Sequence, residues 1–176
     1  AAMLAEQSMP AEKKVECTGS IRYGDRTFRC HIGVPGHGYM DLKNALAQSC
    51  NVYYWTLGKD FIGIDMIASY AQEFGLGRSL EIDLPSQSSG FIPTAQWKER
   101  RYHEKWPGGD TLSAAIGQGY TTVTPLHMAN AIAMVVNEGV IYKSNSATHQ
   151  SNTSKDRFLA ENMIKYVQKE RRCFYG

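Results

Sequence analysis

Apolar residues recur at helical spacing along much of this chain, and most of the runs are bracketed by residues that start or stop helices. Leu42, Ala45 and Leu46 follow Asp41, whose carboxylate is placed to cap a helix ending near Ser49-Cys50-Asn51. The apolar stretch Val52 to Leu57 closes at Gly58. Ile64, Ile67, Ala68, Ala71 and Phe74 follow behind a capping Asp65, with Gly75 and Gly77 as the stop. Thr94 caps a more polar helix through Trp97 and Tyr102, after which Pro107-Gly108-Gly109 is expected to break the chain. Thr124-Pro125 opens a further helix, carried by Leu126, Met128, Ala129, Ile132, Ala133 and Val136 and stopped by Gly139.

Between Val15 and Ile32 the period shortens to an alternation around Gly19-Ser20 and Gly24-Asp25, which predicts a small lobe of short strands joined by tight turns. Gly33, Pro35, Gly36 and Gly38 interrupt regular structure before Asp41. Beyond Tyr142 the character changes again. Lys143 to Lys155 is mostly Ser, Asn, Thr and other polar residues, too poor in apolar surface to order itself, although Arg157 to Val167 have the spacing of one more amphipathic helix. The pattern therefore predicts a mainly α domain over residues 1–142, with a hairpin lobe at 15–32 and a helical part at 41–139, followed by a polar tail at 143–176.

Composition agrees with one domain that has a core, since 43% of the 176 residues are hydrophobic. The 19 basic and 17 acidic side chains are interspersed, so no basic stripe offers itself to nucleic acid. No window is apolar for long enough to span a bilayer, and Ala1 to Met9 lack the charged start and apolar centre of a signal peptide.

Two stretches stand out. One is Gly36-His37-Gly38-Tyr39-Met40-Asp41-Leu42 running into Ala45-Leu46-Ala47-Gln48-Ser49-Cys50-Asn51-Val52-Tyr53-Tyr54. The other is Trp106-Pro107-Gly108-Gly109-Asp110-Thr111, then Ala115-Ile116-Gly117-Gln118-Gly119-Tyr120 and Val123-Thr124-Pro125-Leu126-His127-Met128-Ala129. In this order and separation they resemble the transpeptidase domain of class B penicillin-binding proteins, penicillin-binding protein 2 and its relatives, over nearly all of Ala1 to Tyr142.

The resemblance implies the helical part of an α/β, serine β-lactamase-like fold, with most of its antiparallel sheet missing. Three elements serve such enzymes: Ser-x-x-Lys, Ser-x-Asn and Lys-Thr-Gly. Ser49-Cys50-Asn51 matches the second. The resemblance gives Ser49 a part in proton transfer toward the leaving amine, and has Asn51 hold the amide of the acyl donor, work suited to a hydroxyl and a carboxamide. On residue type alone, the pair would equally end one helix and begin the next.

No serine has a lysine three residues later, and Lys143-Ser144-Asn145 lacks the glycine of the third element. In the family the nucleophile helix lies immediately upstream of the segment matching Ala1-Ala2-Met3-Leu4. The chain is therefore expected to be a fragment of a peptidoglycan D,D-transpeptidase, unable by itself to acylate with penicillin or join peptides. The resemblance further implies stem peptides and β-lactams as ligands of the complete protein, a glycosyltransferase partner, and a place on the extracytoplasmic face of the bacterial inner membrane through an N-terminal anchor. A noncatalytic, zinc-braced module that binds a partner is the alternative.

Cys17, Cys30 and Cys50, with His37 between the last two, lie on the hairpin lobe or the turn and helix after it. In penicillin-binding protein 2 relatives, positions matching these four can bind zinc, and three thiolates with one imidazole suit a closed tetrahedral structural site. A Cys17 to Cys30 disulfide and unpaired thiols remain open. His31, beside Cys30, is a substitute ligand; His103, His127 and His149 read as surface or packing residues, and Cys173 has no assigned role. Tyr53, Tyr54, Trp55 and Trp106 would line a groove or fill the core.

Overall fold

The computed structural model describes residues 1–80 and 87–136. Among them the chain forms helices α1 (Ala2–Ala5), α2 (Leu42–Ala47), α3 (Asn51–Leu57), α4 (Ile64–Glu73), α5 (Ala95–Tyr102), α6 (Gly108–Ala115) and α7 (Pro125–Val136). Its strands are β1 (Val15–Cys17), β2 (Ser20–Tyr23), β3 (Arg26–Arg29) and β4 (Gly38–Met40). The fold is thus mainly helical with small antiparallel strand pairs. The expected stop at Gly139, the polar tail 143–176, the helix at Arg157 to Val167 and Cys173 lie outside the described residues. Among the described residues no helix is long and apolar enough to cross a membrane.

Two compact units divide the described residues, one made of 2–67 and 93–119, the other of 68–80, 87–92 and 120–136 with Ala1. In the first unit α3 is the spine. Its Val52, Tyr53, Trp55 and Leu57 are buried, packed with Leu112 of α6 and with Cys17 and Cys30 of the strand lobe. Tyr53 and Trp55 are therefore core, while Tyr54 and Trp106 are half-buried.

The strand lobe differs from its expected form. β2 and β3 do make a hairpin about Gly24-Asp25, but β1 pairs antiparallel with β4, Val15 opposite Met40 and Cys17 opposite Gly38. Gly19-Ser20 is therefore no hairpin turn, and the lobe extends to Met40. A partner more than twenty residues away leaves no local signal, whereas a two-residue turn does.

Helix starts follow their side chains. Asp41 Oδ1 accepts from the Asn44 amide at 2.8 Å, and Thr94 Oγ1 from the Trp97 amide at 3.1 Å. Asp65 acts elsewhere: it lies inside the first turn of α4 and accepts from the amide of Ala95, the first residue of α5, at 3.0 Å. The run Val52 to Leu57 does not stop at Gly58 but continues through a π-helical turn, Gly58–Ile62.

α6 is the larger departure. Pro107 takes the N-cap position and Gly108, Gly109 and Asp110 form the first turn of a helix where a break was expected. Weak local propensity is overridden by tertiary packing, because Leu112 is fully buried and Asp110 pairs with the buried Lys98.

In the second unit Phe91 and Thr122 bridge through reciprocal backbone hydrogen bonds of 2.7 and 2.9 Å. Thr124 opens α7 by accepting from the His127 amide at 3.2 Å. His127 is buried, with Nδ1 2.6 Å from Thr124 Oγ1 and Nε2 2.7 Å from the Arg78 carbonyl, to which it donates. The ring thus ties the start of α7 to the chain after α4. His127→Leu takes the ring partner from the Arg78 carbonyl and from the Thr124 amide and should cost about 2–3 kcal/mol in urea unfolding.

Candidate functional site

The turn that carries Ser49 ends α2 in a Schellman motif. The Ser49 amide donates to the Leu46 carbonyl at 3.3 Å, and the Cys50 amide to the Ala45 carbonyl at 2.9 Å. The end of α4 repeats the pattern, Gly75 to Gln72 and Leu76 to Ala71, both at 3.0 Å. There the left-handed residue is glycine, at φ 78°; here it is serine, at φ 53°. Side chains at such positions cost roughly 1–2 kcal/mol that glycine does not. Ser49 is exposed and Asn51 half-exposed at the first turn of α3, and neither side chain has a hydrogen-bond partner among the described residues. Ser49 shares this left-handed backbone with Gln7 and His103, and its hydroxyl, two residues from the Asn51 carboxamide, is open to solvent.

Cys50 lies between those two residues and faces inward. Cys17 ends β1, Cys30 follows β3, and His37 precedes β4. Pairing of β1 with β4 brings His37 to Cys17. The loop closes that far only because residue 36 is glycine: a Cβ there would overlap the Cys17 carbonyl. His37 Nδ1 lies 3.5 Å from Cys17 Sγ and 3.7 Å from Cys30 Sγ, and the four ligand atoms of Cys17, Cys30, His37 and Cys50 all fall within 4.8 Å of one another. All three sulfurs are free thiols, 0–3% exposed. Zinc bonds of about 2.3 Å to sulfur and about 2.0 Å to nitrogen give tetrahedral edges of about 3.5–3.8 Å. The donor set and its spacing fit that group. His31, the substitute ligand, lies outside the four.

The three thiols differ in how their surroundings treat a negative charge. Burial pushes the Cys30 thiol up, but hydrogen bonds from the amides of Asn51, Ile32 and Val52 and from Cys17 outweigh it and hold the thiol below its ordinary value. Cys50 is pushed up to about 12 by burial, with Cys17 and Cys30 adding to the rise against one amide, that of Tyr53. Amides left without partners at the start of α3 thus stabilise one sulfur, and three sulfurs cannot all be anionic in so small a volume without a cation between them.

The second motif supports α3 through α6. Lys98, only 6% exposed, pairs with Asp110 and lies 5.7 Å from the Trp106 ring and 5.9 Å from the Tyr102 ring. Trp106 Nε1 donates to Thr111 Oγ1 at 2.8 Å, and Phe28 packs edge-on against Trp55 at 5.7 Å. Gly108 lies directly under the Tyr23 hydroxyl, where any Cβ would overlap it. Because that hydroxyl is the far end of an exposed side chain, Gly108→Ala should push the Tyr23 ring aside and cost the chain less than about 1 kcal/mol, and Tyr23→Ala in the same chain should remove even that, as read by denaturant melts. Lys98 and Tyr23 were not singled out in the sequence; each is one polar residue among several and no spacing marks it.

The penicillin binding protein transpeptidase domain family matches residues 1–170 of this chain. Peptidoglycan D,D-transpeptidase MrdA of Acinetobacter baumannii is 40% identical over 145 residues, covering 72% of this chain and 21% of its own. The chain thus spans about a fifth of the length of that relative. Among solved structures, a penicillin-binding protein (PBP2) from Helicobacter pylori superimposes with a TM-score of 0.79 at 25% identity, over 92% of this chain and 31% of that one. A structure describing the coordination of polymerization and crosslinking by a peptidoglycan synthase complex follows at TM-score 0.73 and 25% identity, over 93% and 30%.

Proposed function

The chain belongs to the penicillin-binding protein transpeptidase family, and on that premise we propose that it carries one wall of the active site of a peptidoglycan D,D-transpeptidase whose nucleophile lies on residues outside this chain. The observation that carries the reading is the Ser49-Cys50-Asn51 turn, with Ser49 held left-handed and its hydroxyl, like the Asn51 carboxamide, without a partner among the described residues. In the longer protein, a serine on the Ser-x-x-Lys helix attacks the penultimate D-alanine carbonyl of a stem peptide. Asn51 orients the donor amide, Ser49 passes a proton to the departing D-alanine nitrogen, and the amine of a second stem peptide then displaces the serine. β-Lactams imitate the donor. The relative's name supports the substrate class, and a synthase complex that coordinates polymerization with crosslinking agrees with a glycan-polymerising partner; a place on the extracytoplasmic face of the inner membrane belongs to the same proposal.

Cys17, Cys30, His37 and Cys50 hold a structural zinc in this reading. The ion supplies a closed crosslink with no open position for chemistry. The chain's own part is to pin the turn bearing Ser49 and Asn51, through Cys50, to strands β1 and β3 and the loop before β4.

Fluorescent penicillin is the direct test. The full-length protein should give a covalent adduct that disappears when the serine of its Ser-x-x-Lys element is replaced, and the present chain alone should stay unlabelled. A folded full-length protein that takes no label would remove the transpeptidase reading. A noncatalytic, zinc-braced module remains the second reading, favoured because the four ligands are complete within this chain while the nucleophile is not. It predicts zinc in the purified chain and no label in either protein.

A further inference from the structure

The three sulfurs of the cluster are sealed, at 1%, 3% and 0% exposure for Cys17, Cys30 and Cys50, so a hydrated cation has no direct route to them. Imidazoles stand on the solvent side. His37 is half-buried and His31 is exposed. Their ring centroids are 5.2 Å apart with planes tilted by 54°. Both rings flank one sulfur: His37 Nδ1 lies 3.7 Å from Cys30 Sγ and His31 Nδ1 lies 3.9 Å from it. His31 is outside the group of four, so it is not needed to complete a tetrahedron.

From this arrangement we propose that His31 is the exchange ligand of the metal site, taking the ion from solvent, sharing it with Cys30, and releasing it to His37 and the two deeper thiols. The inference rests on the metal reading above. An exposed imidazole replaces the first water of a hydrated zinc without first exposing the thiols, and as the neighbour of Cys30 it needs only side-chain rotation to swing between solvent and sulfur. Because each step is reversible, the same residue governs release. His31 therefore sets the rates of uptake and loss and leaves the equilibrium between them almost unchanged. When His37 is absent, His31 fills the fourth position.

Stopped-flow transfer of zinc between this chain and a chromogenic chelator tests the proposal, with equilibrium affinity measured alongside. His31→Ala should slow uptake and release together by about tenfold while affinity stays within about threefold, and His31→Asp, a carboxylate that also binds zinc, should restore the rates. His37→Ala should still hold one zinc with weakened affinity, and the His31→Ala/His37→Ala pair should lose it. Rates unchanged in His31→Ala on a chain that binds zinc would overturn the proposal and leave the metal site standing. So would a His31→Asp variant as slow as His31→Ala. A folded chain with reduced cysteines that binds no zinc at all would overturn both.

Discussion

With zinc bound as proposed, stripping it from the purified chain with a chelator should lower the melting temperature by about 8–16 °C. Zinc at about a thousand times its dissociation constant stabilises the folded state by about 4 kcal/mol, and each kcal/mol moves Tm by about 2–4 °C in a domain of this size. The loss should start locally. Cys17, Cys30 and Cys50 belong to the same core as Val52, Tyr53 and Leu112. Without a cation, three buried sulfurs meet as neutral thiols at most, and the loop 33–38 loses the contact that holds His37 against them. Amide hydrogen exchange should therefore accelerate first at Asn51, Val52 and Tyr53, whose N–H groups point at Cys30 and Cys50, before α6 and α7 respond. Cys50→Ser should reproduce most of the effect, since an alcohol is a poor zinc ligand. A melt and an exchange pattern unchanged after proven metal removal would mean that nothing braces the turn.

Residues that act on their own neighbours were legible in the sequence. Asp41 and Thr94 cap because an oxygen at that position reaches an amide three residues on, and Thr124 with Pro125 opens α7 for the same reason. What depends on distant partners was not legible. Nothing near Val15 announces Met40, and nothing in Pro107-Gly108-Gly109 shows that the packing of Leu112 and the pairing of Asp110 with Lys98 would make the proline an N-cap and the glycines the start of α6. Asp65 was read as a local cap, yet its carboxylate serves an amide thirty residues away.

The candidate site divides in the same way. Ligand types at Cys17, Cys30, His37 and Cys50 were visible, but their convergence depends on the β1–β4 register and on Gly36, both long-range facts. The left-handed backbone of Ser49 could not be read at all, because serine is not a residue that advertises it.

That backbone yields the sharpest separation of stability from function. Ser49→Gly should raise the stability of this chain by about 0.5–1 kcal/mol, because glycine is the favoured residue at the left-handed position of a Schellman motif and the hydroxyl makes no hydrogen bond among the described residues. The same change in the full-length protein should slow acylation by a β-lactam by about 10²–10⁴-fold, the usual worth of a positioned proton-transfer group. Ser49→Ala keeps the strain and loses the hydroxyl, so it should match Ser49→Gly in acylation and the unaltered chain in stability. Urea melts of the chain and single-turnover acylation of the full-length protein read the two effects separately. If Ser49→Gly instead destabilises the chain and acylation proceeds at its original rate, the serine is there for the turn alone, and the catalytic role proposed for its hydroxyl fails.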